Sequence, residues 1–357
     1  MNMLLFHLQG RHRGCWVTDG QHGNKRSTKR TYWILYPLLL TLALVASACS
    51  NSSTNAGTAT TKSNTASSAP ASASPQPEAT TAPAAVKTVT TVNGEIEIPA
   101  EPKRIVAEEY LGSLIALGTI PVGAPGLTLE NVYFKEALAG VSDTGTYGKM
   151  SPENIIALEP DLIISGMADS YETLSQIAPT VIVPYGELKN AHEELTYFGK
   201  LLGKEQEAKD WLDDYDKRIA AAKAKVDAAI PAEATFSILE HTDKSTWAYG
   251  DNFGRGRQAV YQALGRKPPT AVADVIMEKQ WAEISNEMLP SYAGDYLIVT
   301  DNNQALEDFS NDPIWGSLPA VKNGHIYVWK EERSWYYDPI AVLSQTEELA
   351  DWLTSGQ

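Results

Sequence analysis

From Val86 onward, short apolar runs alternate with amphipathic stretches, and that alternation sets the expected fold. Lys87 to Val92 and Glu95 to Pro99 alternate with period two around Asn93-Gly94, the pattern of a hairpin turning at that dipeptide. Ile105-Val106-Ala107 reads as a buried strand, Tyr110 to Leu117 as a short helix stopped by Gly118, and Ile120 to Gly123 as a second strand. The grammar repeats. Ser151-Pro152-Glu153 opens a helix through Leu158, Pro160-Asp161 breaks it, and Leu162 to Ser165 is a strand; Tyr171 to Ile177 is helical and Thr180 to Val183 a strand.

The longest helical pattern runs from Lys204 to Ala229, with Ala208, Trp211, Leu212, Tyr215, Ile219, Ala222 and Val226 on one stripe. At 1.5 Å per residue it makes a rod of about 37 Å, ended by Pro231. Strand Thr235 to Leu239, helix Arg257 to Leu264, strand Asp295 to Thr300, short helix Pro313 to Leu318, strand His325 to Trp329 and terminal helix Ile340 to Leu353 follow. Strands separated by helices on both sides of one long rod predict an α/β protein of two Rossmann-like lobes with parallel sheets, joined by one long α-helix.

Upstream the pattern differs. A basic stretch (Lys25, Arg26, Lys29, Arg30) precedes an apolar run that stops at Ala46-Ser47-Ala48-Cys49, the three-part layout of a cleaved export signal. The cysteine after small residues resembles a bacterial lipobox, which implies a diacylated Cys49 at a new N-terminus, although Ala46 stands where that pattern prefers Leu. Pro37 and the short apolar length argue against a stable transmembrane anchor instead. The first 24 residues look unlike an export signal, as a start codon assigned too far upstream would explain. Ser50 to Ala85, almost wholly Ser, Thr, Ala, Asn and Pro, cannot bury enough apolar surface to order itself and reads as a solvated tether. The expected divisions are a leader at 1–48, the acylated cysteine and tether at 49–85, an N-terminal lobe at 86–200, the inter-lobe helix at 201–231 and a C-terminal lobe at 232–357.

The chain carries a formal net charge of −15, and the first 48 residues hold six of its 29 basic but one of its 44 acidic residues, so the remainder is more acidic still. Such a surface repels nucleic acid and anionic membrane. Of the two cysteines, Cys15 lies in the leader, so the processed chain has no internal disulfide and its fold rests on burial. His192, His241 and His325 lie far apart without the spacing of a metal site. Nucleophile elbows and Walker-type loops are absent, which argues against an enzyme. Asp161 and Asp338 stand beside prolines at element ends, where Asp commonly caps.

Several local runs carry a family resemblance: Pro102-Lys103-Arg104-Ile105-Val106, Glu159-Pro160-Asp161-Leu162-Ile163-Ile164, Tyr292-Ala293-Gly294-Asp295-Tyr296-Leu297, and Trp315 through Gly324. These resemble the periplasmic binding proteins that feed ABC importers of iron–siderophores, haem and cobalamin, over about Val86 to Leu353. Tyr249-Gly250-Asp251-Asn252-Phe253-Gly254-Arg255-Gly256 and Trp335-Tyr336-Tyr337-Asp338-Pro339 are most similar to Gram-positive lipoprotein receptors for ferric hydroxamates. The resemblance implies a monomeric, membrane-anchored, extracytoplasmic receptor that needs no cofactor and takes an Fe(III)–siderophore complex as ligand.

A hexadentate siderophore already surrounds its iron with oxygen, so the protein needs aromatics and an Arg rather than metal ligands. Arg255 would donate its fork to the hydroxamate oxygens, with Gly254 and Gly256 letting the backbone approach. Trp247, Phe253, Trp335, Tyr336 and Tyr185 would wall the cleft. The plainer alternatives are a surface ion pair for Arg255, capping the helix that follows, and core packing for each aromatic. By resemblance, Phe253 replaces the usual Trp and Trp247 a Tyr, so ligand preference should differ from other members.

Glu153 and Glu287 occupy corresponding places, each at the opening turn of a helix. The resemblance implies that they dock into arginine pockets of two ABC permease subunits; taken alone, a first-turn Glu favours the helix dipole. Within the family the rival is a cobalamin or haem receptor, with Tyr336 or Tyr337 as axial ligand. A secreted siderophore-ester hydrolase is the rival from another class, and it lacks a nucleophile.

Overall fold

In the computed structural model of the protein, residues 85–252 and 254–356 are described. Strands β1 (Val86–Thr91) and β2 (Gly94–Pro99) form the expected antiparallel hairpin. Its turn lies one residue earlier than Asn93-Gly94: Thr91 pairs with Gly94, leaving Val92 and Asn93 as the loop, and the Thr91 hydroxyl receives the Asn93 N–H. Gly94, at φ 101°, opens β2.

Five strands build the N-terminal sheet: β3 (Ile105–Ala107), β4 (Gly123–Ala124), β5 (Ser142–Asp143), β8 (Leu162–Ser165) and β9 (Thr180–Ile182), with a small antiparallel ribbon of β6 (Gly145–Thr146) and β7 (Lys149–Met150) inserted after β5. Their order is β5-β4-β3-β8-β9 and every pair is parallel. Such a sheet is covered on both faces, so Ile105, Val106, Leu162, Ile163 and Ile164 are all buried without alternation. The second strand sits later than Ile120 to Gly123, because Pro121 has no N–H to give a ladder. Gly123 is needed at its start, since a Cβ there would fall 2.4 Å from the Leu158 side chain.

Helix Ala191–Leu202 closes at Gly203 (φ 69°), and the linker helix Glu205–Ala229 follows, matching the expected rod. Ala208, Tyr215, Ala222 and Val226 are its buried stripe, with Trp211, Leu212 and Ile219 packed beside them. The terminal helix Pro339–Thr354 lies along it, joined by Arg218 to Glu347 (2.8 and 2.6 Å) and Lys225 to Asp351 (2.6 Å).

The C-terminal sheet departs from the expected all-parallel arrangement. Strands β10 (Phe236–His241), β11 (Thr246–Tyr249), β12 (Trp281–Ile284), β13 (Tyr296–Thr300) and β14 (Ile326–Trp329) run in the order β12-β11-β10-β13-β14. β10, β13 and β14 are parallel, whereas β11 and β12 are antiparallel to their neighbours. The connection Thr242 to Ser245, closed by the Thr242 N–H on the Ser245 carbonyl at 2.9 Å, is too short for a crossover and can only reverse the chain. The helix expected over Arg257 to Leu264 is a π-helix, Gln258–Ala263, whose wide turn shows in the Leu264 N–H reaching the Ala259 carbonyl at 2.9 Å. Pro313 to Leu318 holds only a 3₁₀ turn, Trp315–Ser317, after a helix at Leu306–Asn311.

In both lobes the sheet branches at its middle strand. β3 sends its next strands to one side and later ones to the other, so β3 and β8 flank a topological switch point; β10 and β13 flank the second. Crevices outside the carboxyl ends of such strands are where open α/β sheets take ligands.

Candidate functional site

At the C-terminal switch point the backbone turns through three successive left-handed residues, Gly254 (φ 75°), Arg255 (φ 56°) and Gly256 (φ 76°). Both glycines are required by their surroundings. A Cβ at Gly254 would lie 2.3 Å from the Trp335 carbonyl oxygen, and one at Gly256 would lie 2.5 Å from the Trp329 ring. The Arg255 N–H donates to the Ser334 carbonyl, locking this turn to the segment before the terminal helix. Arg255 itself is a non-glycine residue in a costly region, a form of strain that persists where surrounding structure dictates it.

Its side chain is buried, not a surface cap. Nε donates to Glu240 Oε2 at 2.8 Å, and the guanidinium lies over Trp335 at 4.3 Å and Tyr249 at 5.4 Å. Glu240, near the carboxyl end of β10, also accepts from the Tyr249 hydroxyl at 2.6 Å. Burial works against the Arg255 charge, but Glu240 and Tyr249 hold its pKa above the ordinary value. Among the described residues its terminal nitrogens have no hydrogen-bond partner. Arg257, two residues on, is buried too; Nε donates to the Gly254 carbonyl at 3.0 Å and the guanidinium lies over Tyr249 at 4.8 Å. Burial and the charge of Arg255 push its pKa down to about 10.

The structure gathers some of the expected wall and disperses the rest. Trp335 stacks on Arg255. Tyr185, after β9, meets Tyr337 edge to face at 6.0 Å; burial lifts its pKa to about 12, against the opposing charges of Arg257 and Arg255, which places it near that pair. Tyr336 packs instead on Tyr133 at 6.4 Å, in the N-terminal lobe. Trp247 lies on β11 opposite Glu240, while its ring meets Trp281 at 5.4 Å and its Nε1 donates to Ser245. Its place is the edge of this face, next to the half-exposed Trp281. Phe253 and Cys49 lie outside the described residues.

The lobes meet around this cluster. Asn131 Nδ2 donates to Asp338 Oδ2 at 3.2 Å, Tyr133 donates to the Arg333 carbonyl at 2.7 Å, and Gln258 donates to the Lys189 carbonyl at 2.9 Å. Asp338 is also the cap of the terminal helix, accepting the N–H groups of Ile340 and Ala341. Asp161 similarly receives the backbone N–H groups of Lys103 and Arg104.

Glu153 and Glu287 are exposed. Glu153 takes a hydrogen bond from Ser151 at 2.9 Å, and a Ser285 hydrogen bond lowers the Glu287 pKa. Glu153 is in the first turn of helix Pro152–Ala157, as expected. Glu287 instead precedes its helix, Leu289–Tyr292, whose start is set by Pro290. The three histidines are apart: His192 beside Asp216, His241 on Asp301 at 2.7 Å, and His325 stacked on Tyr296. Among the described residues there is no cluster of three or more metal-ligating side chains.

Sequence reasoning missed Glu240, Tyr249 and Arg257. The spacing Arg255-Gly256-Arg257 and the acid near the end of β10 were the available signals.

Two α/β lobes on one long helix, meeting at the carboxyl ends of their sheets over buried arginine and aromatic groups, define a binding protein that holds a solute between its lobes. The periplasmic binding protein family matches residues 105–333, and the chain belongs to that family. It is 36% identical to the iron(3+)-hydroxamate-binding protein YxeB of Bacillus subtilis over 90% of this chain and 96% of that one. It is also 36% identical to the iron(3+)-hydroxamate-binding protein FhuD of the same organism, over 75% of this chain and 86% of that one. Among solved structures, FhuD2 of Staphylococcus aureus with bound ferrioxamine B superposes with a TM-score of 0.64 at 30% identity, covering 71% of this chain and 99% of that one.

Proposed function

We propose that this protein is an extracytoplasmic receptor that binds a ferric siderophore of the hydroxamate type between its lobes and delivers it to an ABC importer. The observation that carries this reading is Arg255, presented by three left-handed residues under Trp335 with its terminal nitrogens uncommitted among the described residues. A guanidinium in that state suits the partly negative oxygens of an iron-bound hydroxamate, and the neighbouring aromatic surfaces suit the ligand's carbon skeleton. Relatives named for ferric hydroxamates support the same ligand class.

Acylation at Cys49 would hold the receptor at the membrane, with 49–85 as tether, 86–200 and 232–357 as the lobes and 201–231 as their join. Glu153 and Glu287 are the proposed contacts to two permease subunits, and the receptor acts as a monomer.

Intrinsic fluorescence titrated with ferric hydroxamate, catecholate and citrate-type complexes tests the ligand class. Quenching by the hydroxamate complex alone is expected, with Trp335→Phe reducing the quench more than Trp247→Phe. No response to any hydroxamate complex would overturn the reading.

A further inference from the structure

The N-terminal switch point holds a carboxyl group that the function above does not use. Glu109 stands two residues beyond β3, and its carboxylate lies on the backbone of Gly166, the first residue after β8, where a Cβ would fall 2.0 Å from Oε2. The residue is 6% exposed, and among the described residues neither carboxylate oxygen has a hydrogen-bond partner. Its neighbour Glu108, by contrast, receives the Gly148 N–H at 2.8 Å and the Ser165 hydroxyl. Glu109 and Gly166 stand just past the carboxyl ends of β3 and β8, the adjacent strands of the N-terminal switch point, and Tyr185 after β9 meets Tyr337 of the other lobe at 6.0 Å, so Glu109 lies at the end of its sheet where the lobes meet. The two switch points are therefore unequal: Glu240 is matched by Arg255, and Glu109 has no match among the described residues.

An unmatched buried acceptor calls for a donor. Hydroxamate oxygens cannot supply one, and they suit the arginine across the cleft. We propose that Glu109 is a specificity-determining residue that receives a primary ammonium at the chain end of a ferric hydroxamate, so that the cleft favours cationic complexes over neutral ones with the same iron core. An ammonium brings three donors and the opposite charge, while a ligand without them leaves Glu109 desolvated and alone. Burial, and then Glu108, push the Glu109 carboxyl up to about 8, so an ammonium ligand must displace its proton. Besides Glu108, the titratable groups acting with it are Glu194, Tyr110, Tyr185 and Tyr337.

This inference rests on the hydroxamate reading, and one experiment separates the two. Wild type and Glu109→Gln are titrated with ferrioxamine B, which ends in a primary ammonium, and with its N-acetylated form, from pH 6 to 8.5. Wild type should bind the ammonium complex about tenfold or more tightly at pH 8, with the preference shrinking toward pH 6. Glu109→Gln should bind both alike while holding the acetylated complex within about twofold of wild type. Equal binding of the two by wild type, or a preference that survives in Glu109→Gln, overturns this inference and leaves the ligand class standing. Binding of neither complex by wild type overturns both.

Discussion

Glu240 holds Arg255 through Nε at 2.8 Å with side-chain exposures of 6% and 9%, so the positive charge at the cleft is half of a buried pair. Its energetic role is therefore double: it can serve a ligand, and it neutralises a carboxylate that β10 carries into the interior. Removing one partner of such a pair costs about 3–5 kcal/mol, whereas replacing both by apolar side chains of similar volume is often nearly neutral.

Arg255→Ala is accordingly expected to weaken ferric hydroxamate binding by about 1.5–3 kcal/mol and also to lower the thermal midpoint of the ligand-free protein. Arg255→Met/Glu240→Leu should regain most of the midpoint and none of the affinity. Arg255→Lys should recover little binding, since an ammonium lacks the planar fork. Calorimetric midpoints beside fluorescence titrations decide it; an unchanged affinity in Arg255→Ala would remove the residue from the site.

Gly254→Ala meets both a left-handed backbone and the Trp335 carbonyl at 2.3 Å. The dihedral alone costs about 1–3 kcal/mol, and the contact forces the Trp335 segment to move. Gly140, at φ 89° with nothing near its Cβ position, isolates the dihedral. Gly254→Ala should lose ligand affinity about tenfold or more, while Gly140→Ala should only lower the midpoint. Equal affinities in the two variants would show that the contact with Trp335 does not shape the site.

Glu194 is buried under a hydrogen bond from Ser113 at 2.6 Å, and burial raises its carboxyl to about 8 despite that bond. A folded-state value above the unfolded one, about 4.3, gives stability that is full below pH 4 and lost as pH climbs through 8. The midpoint of the wild-type protein should therefore fall between pH 5 and 8. Glu194→Gln, which still accepts from Ser113, should raise the midpoint at pH 8 and barely change it at pH 5. A wild-type midpoint that rises over that interval contradicts the assignment.

Glu153→Ala/Glu287→Ala should leave ligand affinity and midpoint unchanged, because both carboxylates are exposed and lean on single serines. Uptake in cells should be abolished, and each single change should reduce it in part, since two contacts share the permease. Normal uptake by the double variant would end the docking proposal.

Much of the architecture is written in local periodicity. The stripe Ala208, Tyr215, Ala222, Val226 marked the linker helix because one helical face must be buried, and Ile105 to Ala107 or Leu162 to Ser165 marked core strands because both sheet faces are covered. Gly254 and Gly256 around Arg255 also showed in the sequence, since few side chains tolerate that backbone.

What only the tertiary structure decided is partnership. β12 escaped because an edge strand with exposed or half-exposed positions such as Trp281 has no clear apolar pattern, and β11 pairs through contacts set elsewhere in the chain. Glu240 meets Arg255, and Glu109 meets no donor among the described residues, for reasons that no local window contains: charges are matched by where the sheets bring them. Burial preference is a property of a residue and its near neighbours, so the chain's own order determines it. Compensation of a buried charge depends on the whole packed fold.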